Sequence, residues 1–148
     1  MTNYFYMLFK MLQPFFHDFY IILGIDKRNG TKLIKIGNTQ NFETRLSQYS
    51  SQYPAFIPLT KFPIRILLSN TDQIETVEGQ MKDICKNHRM RRYDINYNDR
   101  LDNEFFVLNK TRESNINAII DLLDVFYEAN VNVLQSQAET FYNNAFND

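Results

Sequence analysis

Two short apolar runs joined by an Asn-Gly turn signal constrain the fold of this 148-residue chain more than any other feature. Residues 19–23 (FYIIL) are aromatic and β-branched, and residues 32–36 (KLIKI) alternate between polar and apolar side chains. The segment between them, residues 26–30 (DKRNG), ends in Asn-Gly, a pair that favours a tight turn. We therefore predict that the two runs form an antiparallel β-hairpin.

The rest of the chain carries further strand and helix patterns. Residues 62–68 (FPIRILL) predict a third strand, in which Pro63 suits a strand start or a sheet edge. Residues 104–108 (EFFVL) fit a short closing strand. Apolar residues at helical spacing predict helices over residues 41–53, 72–88, 113–128 and 131–146. This order indicates an α+β fold with a small, three-stranded, mainly antiparallel sheet flanked by helices, followed by extra C-terminal helices.

Composition indicates a folded chain with one main domain. Hydrophobic residues make up 44% of the chain and charged residues 22%, and the length of 148 residues is typical of one domain. The single cysteine, Cys85, excludes an internal disulfide and a cysteine-based zinc site. We divide the chain into an aromatic N-terminal extension (residues 1–17), a central domain (18–112) and an acidic helical C-terminal extension (113–148).

The N-terminal extension is apolar, but Lys10 interrupts it and Pro14 lies near its end. It is too short to span a bilayer, which takes about 20 apolar residues. It also lacks the basic start and the small-residue cleavage site of a secretory signal, so we do not expect a secreted protein. A short amphipathic helix is the favoured interpretation, while membrane-surface attachment and a poorly ordered extension stay open.

Charge is distributed unevenly along the chain. The first 112 residues carry all 16 lysines and arginines, whereas residues 113–148 contain six acidic and no basic residues. Such asymmetry is typical of a nucleic-acid-binding surface with an acidic tail, although a solvated acidic helix explains it equally well. The densest basic stretch, predicted to contact phosphates without sequence preference, comprises Lys82, Lys86, Arg89, Arg91 and Arg92. Its alternative role is favourable charge at a helix C-terminus.

Two charged residues lie beside the apolar stripes of predicted helices. At about 100° per residue, Arg45 falls at the rim of the stripe of the first helix, and Glu78 at the rim of the second. A charge at such a rim is half-desolvated beside a cleft, where a carboxylate binds Mg²⁺ well and an arginine binds phosphate well. The alternative is that both side chains simply extend to water.

The order of these residues resembles the GIY-YIG endonuclease superfamily, and more closely its KIG-type branch of phage and large-DNA-virus (Bro-associated) proteins. The resemblance covers about residues 18–108. The matching pieces are residues 18–20 (DFY), residues 35–39 (KIGNT), Arg45 with Leu46, Glu78 within VEGQM, and Glu104 before two phenylalanines. Arg45 lies ten positions after Lys35, and Tyr49 lies four positions after Arg45, so the ordered set is more specific than any single motif.

The resemblance implies a GIY-YIG-like catalytic domain that hydrolyses DNA phosphodiester bonds with a Mg²⁺ or Mn²⁺ ion. It implies that Glu78 binds the metal and that Arg45 holds the scissile phosphate. Tyr20 or Tyr49 would orient or deprotonate the attacking water, and Lys35 would contact the phosphate or the water. Phosphoryl transfer depends mainly on positioning and charge neutralisation, so a cluster of these residue types is chemically consistent.

The chain departs from the family pattern at several motif positions. Asp18 replaces the glycine of the first motif, Asn38 stands where relatives often place a lysine, and Met81 stands where this branch commonly has a histidine. Gly37, in contrast, is kept and would let the chain pass close to a ligand. A lost base or phosphate ligand would leave a DNA-binding module that does not cut.

Simpler structural roles also exist for these residues. Tyr20 and Tyr49 fit packing positions, Lys35 fits a solvent-facing strand position, and Glu104 fits a charge at a strand edge. A further class of function is a viral structural or host-interaction protein. We expect DNA as the partner, no membrane contact and an intracellular location, in the host cytoplasm or nucleus if the protein is viral. The oligomeric state stays open.

Overall fold

The computed structural model describes residues 13–96 and 104–148, without the side chains of residues 49 and 50. The helix expected in the N-terminal extension therefore lies mostly outside the described residues. Its last three residues contradict the expectation, because Phe15, Phe16 and His17 begin a β-strand. Their side chains extend the aromatic and β-branched pattern that favours a strand in the residues that follow.

The centre of the molecule is an antiparallel sheet of four strands in the order β3-β1-β2-β4. The α+β class is thus confirmed, but the sheet has four strands where three were expected. The fourth strand forms because Phe105 and Phe106, which are neighbours in the chain, bury their side chains on opposite faces of the sheet. The strands are β1 (Phe15–Asp26), β2 (Lys32–Thr39), β3 (Phe56–Leu68) and β4 (Phe105–Val107).

The predicted hairpin is formed by β1 and β2 and is confirmed. Gly30 has φ +74° at the end of its turn, a conformation that glycine adopts without steric cost. The backbone N–H of Asp26 donates to the carbonyl of Thr31 and closes the loop. Strand β2 continues to Thr39, so Gly37 lies inside the strand, where the sequence had suggested the end of the strand.

Strand β3 is an edge strand and is longer than predicted. It begins at Phe56, six residues before the predicted start at Phe62, and therefore includes Pro58. Pro58 and Pro63 lack a backbone N–H, and an edge strand tolerates this because one of its sides needs no ladder partner.

The predicted helices are present with one correction. The expected helix over residues 41–53 is two short helices, because the Ser47 hydroxyl and the Ser47 N–H bond back to Thr44 and Arg45 and close a turn there. The helices are α1 (Phe42–Leu46), α2 (Tyr49–Gln52), α3 (Asp72–Asn87), α4 (Arg112–Asp124) and α5 (Val131–Ala145). Within the described residues, the structure has no helix with the length and apolarity to cross a bilayer.

Alternating side chains of β1 divide the core between the two faces of the sheet. Phe19, Ile21 and Leu23 pack with residues of α3, α4 and α5 in the larger cluster. Tyr20 and Ile22 face the other side, in a smaller cluster whose buried members also include Leu33, Phe42, Phe56, Ile95 and Phe105. The helices of residues 113–148 therefore share a core with the sheet. The domain boundaries at residues 17 and 112 stay a prediction.

Candidate functional site

Tyr20 and Gly37, which belong to the two sequence motifs, face each other across the central hairpin. They are paired residues in the β1–β2 register. A Cβ atom at position 37 would come within 2.2 Å of the Tyr20 hydroxyl oxygen and 2.4 Å of its ring. Only glycine leaves room for the tyrosine here, so Gly37 has a steric role at the site.

Lys35 is fully buried, although a polar residue on an alternating strand was expected to face solvent. Its Nζ atom donates to Oε2 of Glu104 at 2.6 Å. The same ammonium lies 4.5 Å from the ring centroid of Tyr53 and 4.4 Å from that of Phe105. A carboxylate and two aromatic faces thus replace water around the buried charge.

Glu78 lies on α3 with a side chain that is only 16% exposed, as its rim position predicted. Its Oε2 atom accepts a hydrogen bond from Nδ2 of Asn38 at 3.0 Å. The other oxygen, Oε1, has no hydrogen-bond partner within the described residues, and the Lys82 ammonium lies 3.9 Å from it. One oxygen of the carboxylate is therefore held by Asn38, and the other is buried in an ion pair with Lys82 without accepting a hydrogen bond.

Electrostatic interactions link Glu78 to the other charged residues nearby. Burial raises the pKa of the Glu78 carboxyl above its usual value, the charge of Lys82 lowers it, and the charge of Glu104 raises it further. The ammonium of Lys35 and the hydrogen bond from Asn38 also act against the rise. We refer to Lys35, Glu78, Lys82 and Glu104 together as the charged cluster.

A buried histidine lies behind Asn38. Nε2 of His17 is 2.9 Å from Oδ1 of Asn38, while Nδ2 of Asn38 donates to Glu78. His17 is 5% exposed and makes edge contacts with the rings of Phe15 and Phe19. The structure thus joins β1, β2 and α3 by a row of three polar side chains that ends on Glu78.

Asp18 anchors the helix that carries Arg45. The N–H of Phe42, the first residue of α1, donates to Oδ2 of Asp18 at 2.9 Å, and Nε of Arg65 donates to Oδ1 at 2.8 Å. These bonds, chiefly the one from Arg65, hold the pKa of the Asp18 carboxyl below its usual value. Arg45 lies in the last turn of α1 and is half-buried, as expected of a rim position.

Tyr49 is the first residue of α2, but its side chain lies outside the part that the structure describes. Its predicted role therefore stays a prediction.

The basic stretch divides into two environments. Lys82 is half-buried beside Glu78 and belongs to the charged cluster. The four exposed members form no ion pair with any other described residue, and they are Lys86, Arg89, Arg91 and Arg92. We refer to these four as the basic surface.

The hydrogen bonds of His17 with Asn38 and of Asn38 with Glu78 were not predicted from the sequence. His17 was not singled out, and Asn38 was noted only as a departure from a motif. The available signal was the two-residue period of the strand, which places His17 and Phe19 on one face of β1, with Asn38 as the cross-strand neighbour of Phe19. Asp18 was also seen only as a departure, whereas it anchors α1.

These features define a small α+β domain whose central hairpin and third helix together hold a charged cluster. Comparison with protein-family models shows that the T5orf172 domain model matches residues 19–124. The chain belongs to this family, which is associated with phage and viral homing-endonuclease-like proteins. Neither the curated proteins nor the solved structures include a match to this chain.

Proposed function

We propose that the protein is a metal-dependent endonuclease that hydrolyses DNA phosphodiester bonds, related to the KIG-type branch of the GIY-YIG superfamily. The observation that carries this proposal is the carboxylate of Glu78. Its Oε1 atom is buried, has no hydrogen-bond partner within the described residues, and lies in a cluster of lysines and a second glutamate. A carboxylate oxygen that accepts no hydrogen bond is a suitable ligand for a hard divalent cation.

The residues present fit a Mg²⁺ or Mn²⁺ ion held by few protein ligands. Within the described residues there is no group of three or more His, Cys, Asp and Glu side chains that could form a complete metal cage. Mg²⁺ does not need such a cage, because it keeps several waters and is commonly bound by one or two carboxylates plus substrate phosphate. Glu78 would hold the ion, which when bound supplies a Lewis acid for the phosphoryl oxygen.

The other residues would position substrate and set charge. Lys35 is fully buried, so we assign it an electrostatic role: its charge favours the ionised form of Glu78 that a cation requires. Arg45, on a helix anchored by Asp18, would hold the scissile phosphate. Tyr20, pressed against Gly37, would orient or deprotonate the attacking water.

A nicking assay on supercoiled plasmid tests this function. We expect wild-type protein to nick the plasmid with Mg²⁺ or Mn²⁺ and not with EDTA. Glu78→Gln should abolish nicking, whereas Glu75→Gln, an exposed residue of the same helix, should leave it unchanged. Arg45→Ala should also abolish nicking, with the exposed Arg112→Ala as its control. Folded wild-type protein that nicks no substrate with either metal would contradict the proposal.

A second candidate function, DNA binding without cleavage, is favoured by the basic surface. Its four side chains are exposed and form no ion pair with another described residue, so they are available to phosphates. This function predicts binding to duplex DNA that persists in EDTA and weakens with salt, in the absence of nicking. Binding that requires the metal and is lost in Glu78→Gln would argue against it.

A further inference from the structure

Asn38 connects a buried histidine to the carboxylate of Glu78. The Oδ1 atom of its side-chain amide lies 2.9 Å from Nε2 of His17, and the Nδ2 atom donates to Oε2 of Glu78 at 3.0 Å. These contacts join residues 21 and 40 positions apart in the sequence. The three side chains therefore meet only because the hairpin and α3 pack together.

The chemistry of the three groups determines the direction of these hydrogen bonds. An ionised carboxylate only accepts, so the NH₂ group of Asn38 must face Glu78. The carbonyl oxygen of Asn38 then faces His17, and His17 must donate from Nε2. The network thus selects the Nε2–H tautomer of the imidazole.

Apart from its hydrogen bond to Asn38, the imidazole of His17 lies in apolar surroundings. The ring is 95% buried between the edges of Phe15 and Phe19, where a phenylalanine would pack without a desolvation cost. Its Nδ1 atom has no hydrogen-bond partner in the part of the chain that the structure describes. The bond to Asn38 is therefore the directed contact that offsets the burial of the imidazole.

We propose that His17 is a positioning residue for Glu78. It holds the amide of Asn38 in one orientation, Asn38 holds Oε2, and Oε1 is thereby presented to the cation. This role rests on the proposed function, because it assumes that Glu78 binds the metal. Without the donor from His17, only the bond to Glu78 holds the Asn38 amide, and Glu78 loses part of its preorganisation.

The first test is calorimetric titration of the full-length protein with Mn²⁺. His17→Phe preserves the packing but removes the donor, and we expect it to weaken Mn²⁺ binding by about 10-fold or more. His17→Gln restores an N–H donor and should bind within about 3-fold of wild type, a difference of about 0.6 kcal/mol. The other histidine, His88, bonds to Asp121 away from this network, and His88→Gln should leave the affinity unchanged.

Two results would overturn the role of His17. Wild-type affinity in a folded His17→Phe variant would show that Glu78 needs no such support. Equal weakening in His17→Phe and His17→Gln would show that the ring matters for packing alone.

The second test needs no metal and separates this role from the proposed function. Long-range ¹H–¹⁵N NMR of wild-type protein should show His17 as the Nε2–H tautomer, and Asn38→Leu should change that tautomer balance. If wild type binds no Mn²⁺ but shows this pattern, the metal site of the proposed function fails and the orienting contact of His17 stands. An Nδ1–H tautomer, or a tautomer insensitive to Asn38→Leu, would overturn the contact itself.

Discussion

Gly37 lies directly opposite Tyr20 in the β1–β2 ladder, and the tyrosine hydroxyl occupies the space that a Cβ at position 37 would need. The two sequence motifs are thus complementary in shape, because the tyrosine of the first fills the space that the glycine of the second leaves empty. The same register places Lys35 opposite Ile22, one step along the face that carries Tyr20. The hairpin therefore brings the key residues of both motifs to one side of the sheet.

The first prediction concerns Gly37→Ala. The added methyl group would meet Tyr20 at distances that require a shift of the ring or the backbone, so we expect a loss of about 1–3 kcal/mol in the free energy of unfolding. Urea denaturation measures this change. Gly79→Ala is the control, because a Cβ there meets nothing within 4 Å and alanine favours the helix by about 0.5–1 kcal/mol. Equal effects at the two glycines would contradict the steric role of Gly37.

The second prediction is an asymmetry between the partners of the Lys35–Glu104 pair. The Lys35 side chain is fully buried, whereas that of Glu104 is 27% exposed. Glu104→Gln removes the charge that balances a buried ammonium and should cost about 2 kcal/mol or more. Lys35→Met removes the buried charge itself and leaves a carboxylate that water reaches, so we expect a change within about 1 kcal/mol. Chemical denaturation of both variants measures the two losses in the free energy of unfolding. A larger loss for Lys35→Met than for Glu104→Gln would refute the prediction.

The fully buried carboxylate of Asp26 connects the hairpin turn to the segment before β4 by hydrogen bonds. Arg28 donates to both of its oxygens, at 3.0 and 2.8 Å, and the Tyr93 hydroxyl donates to Oδ2 at 2.6 Å. Arg28 above all holds the pKa of the Asp26 carboxyl well below its usual range, and Tyr93 acts in the same direction against the effect of burial. Arg28 also donates to the carbonyl of Ile95, a residue 67 positions further along the chain.

The third prediction is an acid-dependent loss of stability that originates at Asp26. Because the folded-state pKa lies below the unfolded-state value, the carboxylate contributes fully above about pH 4 and progressively less as the pH falls. At pH 7, Asp26→Asn should lower the free energy of unfolding by about 1–3 kcal/mol, and this deficit should shrink below about pH 4. Urea denaturation across pH measures both. The exposed Asp83→Asn serves as the control, and a deficit that is constant with pH would contradict the mechanism.

The fourth prediction concerns the basic surface. Each phosphate contact releases counterions, so the slope of log K for DNA binding against log salt should fall by about 0.9 for each contacting side chain removed. Arg91→Ala with Arg92→Ala should reduce the slope by about 2 if both contact phosphate. Fluorescence anisotropy at several salt concentrations measures the slope. Lys61 and Lys110, exposed elsewhere, provide a matched double-alanine control that should leave it unchanged.

Local patterns predicted most of the secondary structure correctly. The hairpin follows from alternation and an Asn-Gly turn, and α3 follows from a regular apolar stripe, because both depend on neighbours in sequence. The break between α1 and α2 could not be predicted in this way. It depends on a serine that bonds back to its own helix, and such a bond competes closely with helix continuation.

The candidate site was predictable only in part. Helical spacing placed Arg45 and Glu78 at rims, and both are half-buried. The burial of Lys35 was not predictable, because its partner Glu104 lies 69 residues away and the strand pattern marks a lysine as solvent-facing. The same limit applies to His17, whose polar partner is on another strand.

The sequence by itself determined the α+β class, the hairpin and the position of the long helices. These properties arise from periodicity and turn geometry, which act over a few residues. Only the tertiary structure decided which charges are buried, which oxygen of Glu78 is held, and that His17, Asn38 and Glu78 form one row. The physical reason is that desolvation and hydrogen bonding depend on the atoms within a few ångströms of a group, and here those atoms come from distant parts of the chain.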